Sequence, residues 1–198
     1  CEEGVFSPEE SRVIMQKGKE QGFKLKIHAD EIVPLQGAEL AGELGAVSAE
    51  HLLAASEAGI NAMAETGVTA VLLPGTSFYL MLGRYAQARK MMDRGVRVAL
   101  ATDYNPGTCP TENLQSIMTF ACFGMKMTPE EIIKGMTLNA AYALDRAGET
   151  GSLEVGKKAD IVVFDAPNLE YIVYHFGINH VDMVIKNGKT VVEGGRIL

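Results

Sequence analysis

Short apolar runs alternate, over the first half of the chain, with stretches whose apolar residues recur at helical spacing. The runs predict four strands, and a predicted helix precedes each of them. The predicted strands span 24–31, 46–53, 69–73 and 96–101, and the helices span 7–22, 36–45, 58–67 and 85–95. Strands and helices that alternate at a repeat of roughly 20–25 residues are typical of βα units in a parallel sheet.

The second half of the chain changes character. Two more helices are predicted at 109–123 and 128–145, and the capping box Thr128-Pro129-Glu130-Glu131 begins the second, as Ser7-Pro8-Glu9-Glu10 begins the first helix of the chain. Short β segments follow at 159–165, 181–186 and 190–193, with a hairpin signal at Asn187-Gly188. We therefore expect an α/β domain over residues 1–150 and part of a small β domain over 151–198.

Four βα units are half of a (β/α)₈ barrel, which has eight strands and typically about 250 residues. A small open α/β sheet is the alternative architecture. Both have a parallel sheet that buries its strands between helices, and in both the carboxyl ends of the strands carry the ligands. We therefore expect the functional residues where each predicted strand ends.

Composition narrows the range of partners. The chain has 198 residues, 47% of them hydrophobic and 22% charged, with a net charge of −7 and no run of Lys or Arg. Such a composition gives no sign of the positively charged patch that binds nucleic acid or an anionic membrane. The three cysteines have unrelated spacings, which indicates a reducing compartment and hence a cytoplasmic location.

Ionisable side chains close three of the four predicted strands. His28 closes the first, with Glu31 just beyond it; His51 closes the second; and Asp103 closes the fourth, while the third stops at Pro74-Gly75. Each group has a structural alternative, since Asp103 could cap its turn and a lone His is more often a polar residue satisfied within the fold. Their coincidence at three strand ends favours one shared pocket.

Imidazole and carboxylate groups suit a divalent metal that activates water. The sequence offers only two good ligands, whereas a catalytic zinc site usually has three or more, and Asp30 competes with Glu31 for a role at the first strand end. His175 and His180 lie in the β tail, where a structural role is expected. Cys109 has no identifiable base beside it and is a poor candidate nucleophile.

The strand ends, taken together, resemble the amidohydrolase superfamily and, within it, the imidazolonepropionase family. The resemblance rests on segments 26–31, 46–52, 71–76, 98–107 and 110–114, and it extends to 137–141 and 156–165. It implies a (β/α)₈ barrel beside a small β domain, holding one zinc or iron ion. The implied reaction is hydrolysis of the ring C–N amide bond of 4-imidazolone-5-propanoate to N-formimino-L-glutamate in histidine degradation.

The matching motifs also imply residue roles. By this resemblance His28 and Asp103 are metal ligands, and Glu31, His51 and Asp103 are catalytic groups that transfer protons or polarise the substrate. The residues implied to bind the substrate are Asn105, Gly107 and Thr108.

One departure from the family pattern is the absence of the His-x-His pair that supplies two further metal ligands on the first barrel strand. We therefore expect the chain to be the C-terminal half of a longer protein, unstable or inactive alone, whose complete form acts on a small molecule and could be a homodimer. Two alternatives stay open: a related amidohydrolase such as a guanine- or cytosine-type deaminase, and a small non-catalytic α/β binding domain.

Overall fold

The computed structural model describes residues 1–198 and contains two separate four-stranded sheets. Strands β1 (Lys26–Ala29), β2 (Ser48–His51), β3 (Thr69–Leu72) and β4 (Val98–Leu100) form the first sheet, in chain order. All of its neighbouring pairs are parallel, and β1 and β4 are its edges. The predicted parallel α/β sheet is confirmed, as an open sheet and not a closed barrel.

Eight helices accompany this sheet. In chain order they are α1 (Pro8–Glu20), α2 (Gly37–Leu44), α3 (Glu57–Thr66), α4 (Pro74–Tyr79), α5 (Ala88–Asp93), α6 (Leu114–Met125), α7 (Pro129–Met136) and α8 (Leu138–Ala143). Both predicted capping boxes are formed, with Ser7 at the start of α1 and Thr128 at the start of α7. Each cap satisfies backbone N–H groups that the helix itself leaves without an acceptor.

The two faces of the parallel sheet are covered differently. Alternate residues of β3 and β4, such as Leu72 and Leu100, belong to the main apolar core together with buried residues of α2, α3, α6 and α7. The opposite face of the same strands places Val71 and Ala99 in a smaller cluster with Ala143 of α8.

Helix α8 lies at the amino ends of the strands. The Asn139 amide donates to the carbonyl of Val98 at 2.8 Å, and Lys26 Nζ donates to the carbonyl of Ala143 at 2.8 Å. The guanidinium carbon of Arg97, just before β4, lies 4.6 Å from the centre of the Tyr142 ring. With the amino ends covered in this way, the carboxyl ends are the open mouth of the sheet.

The second sheet is antiparallel and contains β5 (Ile161–Phe164), β6 (Val181–Lys186), β7 (Lys189–Glu193) and β8 (Arg196–Ile197). Asn187 and Gly188 both have positive φ, 48° and 76°, as the predicted type I′ hairpin requires. Helix α9 (Leu169–Tyr174) follows β5 and precedes β6 along the chain, and it buries Ile172 and Val173 in the main core. Because α9 joins that core, the domain boundary near residue 151 stays a prediction.

Two helix predictions are wrong in extent. The helix expected at 109–123 begins only at Leu114, because Asn113 accepts from Gln115 N and Ser116 N as its cap. The helix expected over 128–145 is broken at Thr137, whose φ of −118° and ψ of −89° lie outside the helical region. The short elements α4, α9 and β8 were not predicted. No helix combines the length and the apolar character needed to cross a membrane.

Candidate functional site

Three ionisable side chains meet where β1 and β2 end. Glu31 lies between two imidazoles: its Oε2 is 3.5 Å from His28 Nε2, and its Oε1 is 3.5 Å from His51 Nδ1. The two imidazole rings are tilted against each other with centroids 4.4 Å apart. The structure thus brings together the groups that the sequence placed at the first two strand ends.

Asp103 reaches the same mouth from the loop after β4. Its Oδ2 lies 4.0 Å from His51 Nε2 and accepts a hydrogen bond of 2.6 Å from Thr76 Oγ1. Thr76 belongs to α4, which begins directly after β3. All four strands therefore contribute to one site, although the third contributes a hydroxyl group and no ionisable one.

The ligand atoms that lie closest together are not those of the predicted metal ligands, His28 and Asp103. One ligand atom each from His28, Glu31 and His51 lies within 4.8 Å of the other two, and Asp103 is outside this group. His51 Nδ1 is buried and has no hydrogen-bond partner. Nitrogen and carboxylate donors with one unsatisfied imidazole nitrogen fit a divalent transition metal. The assignment of His28 and Asp103 as ligands stays a prediction.

Burial shifts the pKa of two groups in this cluster, His51 and Glu31. Burial lowers the pKa of His51 to about 4, and the neighbouring His28 ring acts in the same direction, against the opposing effect of Asp103 and Glu2. Burial also raises the pKa of Glu31, although His28 opposes the shift. A neutral His51 beside a carboxyl group with a raised pKa is a pattern often found where protons are exchanged.

Glu2 is a neighbour of this site that sequence reasoning missed. It is buried, its Oε2 accepts from the backbone N–H of Glu31 at 2.7 Å, and the same oxygen is 3.6 Å from His28 Nε2. Burial would raise the pKa of Glu2, but hydrogen bonds from backbone N–H groups, that of Glu31 first, hold it below its usual value. No pattern in the sequence distinguishes this acid from an exposed one.

Asp30, the rival of Glu31 in the sequence, has a structural role. It is fully buried, and its carboxylate accepts backbone hydrogen bonds from Leu35 N, Gly37 N and Ala38 N at 2.8, 3.1 and 2.9 Å. These bonds fix the start of α2 against the end of β1. Glu31, and not Asp30, faces the two histidines.

The residues predicted to bind substrate lie in the loop after Asp103. Asn105 braces this loop: its Oδ1 accepts from Gly107 N at 2.9 Å and Thr108 N at 2.7 Å, and its Nδ2 donates to the carbonyl of Asp103 at 2.7 Å. Both ends of the Asn105 amide are therefore engaged within the loop. The role of the three residues in binding substrate stays a prediction.

Cys109, His175 and His180 stay poor candidates for catalysis. Burial raises the pKa of the Cys109 thiol, which disfavours the reactive thiolate. His175 stacks on Tyr171 with ring centroids 3.8 Å apart, and His180 is buried with its Nε2 3.3 Å from the carbonyl of His175. These contacts agree with the structural role expected for both histidines.

An open parallel α/β sheet with imidazole and carboxylate groups at the carboxyl ends of its strands is the arrangement of half a (β/α)₈ barrel enzyme, with donors suited to a metal. The family model described as "Amidohydrolase family" matches residues 2–191. The chain belongs to the amidohydrolase family.

Curated relatives match the chain over its whole length. It is 62% identical over 198 residues to a protein named imidazolonepropionase from Alkaliphilus metalliredigens strain QYMF, covering 100% of this chain and 47% of the relative. A protein of the same name from Treponema denticola is 59% identical over 198 residues, covering 100% of this chain and 48% of its own. The chain spans about half the length of the curated relatives it matches.

The chain also covers about half of the length of similar solved structures. The chain is similar to an adenosine deaminase from Xanthomonas campestris with bound zinc, with a TM-score of 0.79 and 22% identity, covering 97% of this chain and 50% of the deaminase. It is also similar to ochratoxinase from A. niger, with a TM-score of 0.75 and 27% identity, covering 96% of this chain and 46% of that one. These likenesses confirm the predicted fold class, a partial amidohydrolase barrel with a small β layer.

Proposed function

We propose that this chain is the C-terminal half of an imidazolonepropionase, with residues 1–150 in the barrel and 151–198 in the small β domain. The complete protein then hydrolyses the ring C–N amide bond of 4-imidazolone-5-propanoate to give N-formimino-L-glutamate. The observation that carries the proposal is 62% identity along the whole chain to a protein of that name. The gathering of His28, Glu31, His51 and Asp103 at one mouth supports it.

The proposal includes one divalent metal ion, zinc or iron. His28 and Asp103 would be its ligands from this chain, with further ligands from the rest of the protein. The unsatisfied Nδ1 of His51 and the nearby carboxylates support a cation at this mouth. When bound, the ion would polarise the ring carbonyl and lower the pKa of a water molecule.

The side chains of this chain would move the protons. As the oxygen of water bonds to the ring carbonyl carbon, Asp103 or His51 accepts a proton from that water. As the ring C–N bond breaks, Glu31 supplies a proton to the departing nitrogen, which would otherwise leave as an unstable anion. The position of Glu31, 3.5 Å from each of two imidazoles, supports this role.

The loop Asn105–Thr108 would hold the glutamate part of the product. Its backbone is fixed by the Asn105 side chain, so the loop is ordered before any ligand arrives. A small-molecule substrate, a cytoplasmic location and a homodimer complete the proposal. Sedimentation of the complete protein tests the last of these.

The decisive experiment measures hydrolysis of 4-imidazolone-5-propanoate by the complete protein, as purified, after chelation and after zinc or iron is restored. We expect turnover to disappear on chelation and to return with metal. Metal binding without turnover of this substrate would contradict the proposed substrate and favour a deaminase. A folded complete protein that binds no divalent metal would favour a binding domain.

A matched pair of variants tests the residue roles. Asp103→Asn should weaken metal retention and remove most of the turnover, because the amide has neither the charge nor the proton affinity of the carboxylate. His175→Ala, at the C-terminal end of α9, should leave turnover close to that of the wild type. Near-normal turnover of a metal-loaded Asp103→Asn protein would refute the role of Asp103.

A further inference from the structure

Thr76 makes the only hydrogen bond to the side chain of Asp103. The hydroxyl group donates to Oδ2 at 2.6 Å, and the carboxylate accepts no other hydrogen bond in the structure. Thr76 itself is 1% exposed, whereas the Asp103 side chain is 25% exposed. The buried hydroxyl group of Thr76 therefore holds the partly exposed carboxylate of Asp103.

The backbone conformation of Asp103 does not by itself fix the direction of its carboxylate. Its φ of 57° lies in the left-handed region, at the beginning of the loop that follows β4. Free rotation about the side-chain bonds would let the carboxylate turn away from His51 Nε2, which lies 4.0 Å from Oδ2. The bond from Thr76 fixes Oδ2 and leaves Oδ1 without a protein partner.

The position of Thr76 is fixed in turn by close packing. Its neighbours Pro74, Gly75 and Ser77 are all buried. A Cβ atom added at Gly75 would lie 2.8 Å from Cys109 Sγ and 2.8 Å from Ile117 Cδ1, so the backbone of α4 lies directly against these side chains. The donor therefore has little freedom to follow Asp103 if the carboxylate moves.

We propose that Thr76 is a positioning residue whose hydroxyl group sets the orientation of the Asp103 carboxylate for metal binding and catalysis. The inference rests on the proposed function, since it assigns Thr76 a part in the same site. Outer partners of metal-ligating carboxylates have this effect generally, and their loss costs roughly 10–100-fold in metal affinity or activity.

The test compares three variants of the complete protein with the wild type. Thr76→Val keeps the shape of the side chain and removes the hydroxyl, and Thr76→Ser keeps the hydroxyl. Thr69→Val is the matched control, because Thr69 is also 1% exposed and its hydroxyl has no hydrogen-bond partner. Zinc affinity is measured by competition with a chromophoric chelator, and kcat and KM are measured on zinc-loaded protein.

We expect Thr76→Val to bind zinc roughly 10–100-fold more weakly than the wild type and to lose kcat with little change in KM. Thr76→Ser and Thr69→Val should stay within about threefold of the wild type in both measurements, since neither loses the bond to Asp103. A merely structural role of Thr76 would instead leave the zinc affinity and the kcat of folded Thr76→Val the same as those of Thr69→Val. If Thr76→Val does not fold, Thr76→Ser decides, because a loss of affinity in the serine variant contradicts the inference.

The two levels of proposal can fail separately. Wild-type protein that binds zinc and turns over the substrate, together with a Thr76→Val protein of unchanged affinity and kcat, overturns the role of Thr76 alone. Wild-type protein that neither binds zinc nor hydrolyses the imidazolone overturns the proposed function, and the role of Thr76 with it.

Discussion

Replacing Gly75 by alanine should damage the site through packing alone. The φ of Gly75 lies outside the left-handed region, so an alanine there meets no backbone strain. Its new methyl group would instead lie 2.8 Å from the sulfur of Cys109 and from Cδ1 of Ile117, both buried. Contacts this short force neighbouring atoms to move, and overpacking of a core costs about 1–3 kcal/mol.

The net magnitude follows from two opposing effects. Alanine restricts the unfolded chain more than glycine does, which stabilises the fold by about 0.4–1 kcal/mol where the native backbone accepts it. Subtracting this gain leaves Gly75→Ala destabilised by up to about 2.6 kcal/mol, and by about 1–3 kcal/mol relative to a glycine-to-alanine change that meets no close contact. Gly148→Ala is the control, because nothing lies within 4 Å of the added methyl and its φ is not in the left-handed region. That variant should be neutral or slightly stabilised.

Urea unfolding of the complete protein measures the difference as a lower midpoint at unchanged slope. Zinc affinity should fall for Gly75→Ala, because displacement of α4 moves the Thr76 hydroxyl, and should stay constant for Gly148→Ala. Adding Cys109→Ala to Gly75→Ala should recover part of the loss, which a double-mutant cycle reports as coupling. Equal stability of the two glycine variants would refute the packing argument.

Three further variants of the complete protein probe neighbouring features. Glu2→Ala removes the acceptor of the Glu31 N–H bond and should lower kcat about 10-fold with zinc affinity nearly unchanged, as steady-state kinetics and chelator competition would show. Asp30→Asn leaves one of the buried N–H groups at the start of α2 without an acceptor and should cost about 1–3 kcal/mol in urea unfolding. Glu131 has a pKa below its ordinary 4.5, chiefly through hydrogen bonds from Arg89, so its stabilising effect is present above pH 4.5 and is lost as the pH falls through the lowered pKa. The difference in unfolding free energy between the wild type and Glu131→Gln should therefore be largest near neutral pH and shrink in acid, whereas a constant difference would contradict the ion pair.

Local signals in the sequence predicted the regular part of the fold. Both capping boxes, the Asn187-Gly188 hairpin and all four parallel strands depend on short-range periodicity or on a few adjacent residues. Such signals are strong because the backbone partners lie within a few positions of the residue that satisfies them.

Elements that depend on tertiary contacts were missed. The break between α7 and α8 at Thr137 follows from the docking of α8, where the Asn139 amide donates to the carbonyl of Val98, 41 positions away. Helix α9 was missed for a similar reason, since Val173 is held by a bond of 2.9 Å from the distant Thr119 hydroxyl. Neither partner is visible in a window of ten or fifteen residues.

The same limit applies to the site, as its two aspartates show. Asp30 and Asp103 both follow a strand and both have left-handed backbones, with φ of 51° and 57°, a conformation that aspartate tolerates better than most residues. Residue type and position therefore could not separate them. The partners of each carboxylate do: Asp30 is saturated by backbone N–H groups from Leu35, Gly37 and Ala38, while Asp103 accepts one hydroxyl and keeps an oxygen free. A carboxylate saturated by the fold can only support it, and one held at a single oxygen can still bind a ligand or accept a proton.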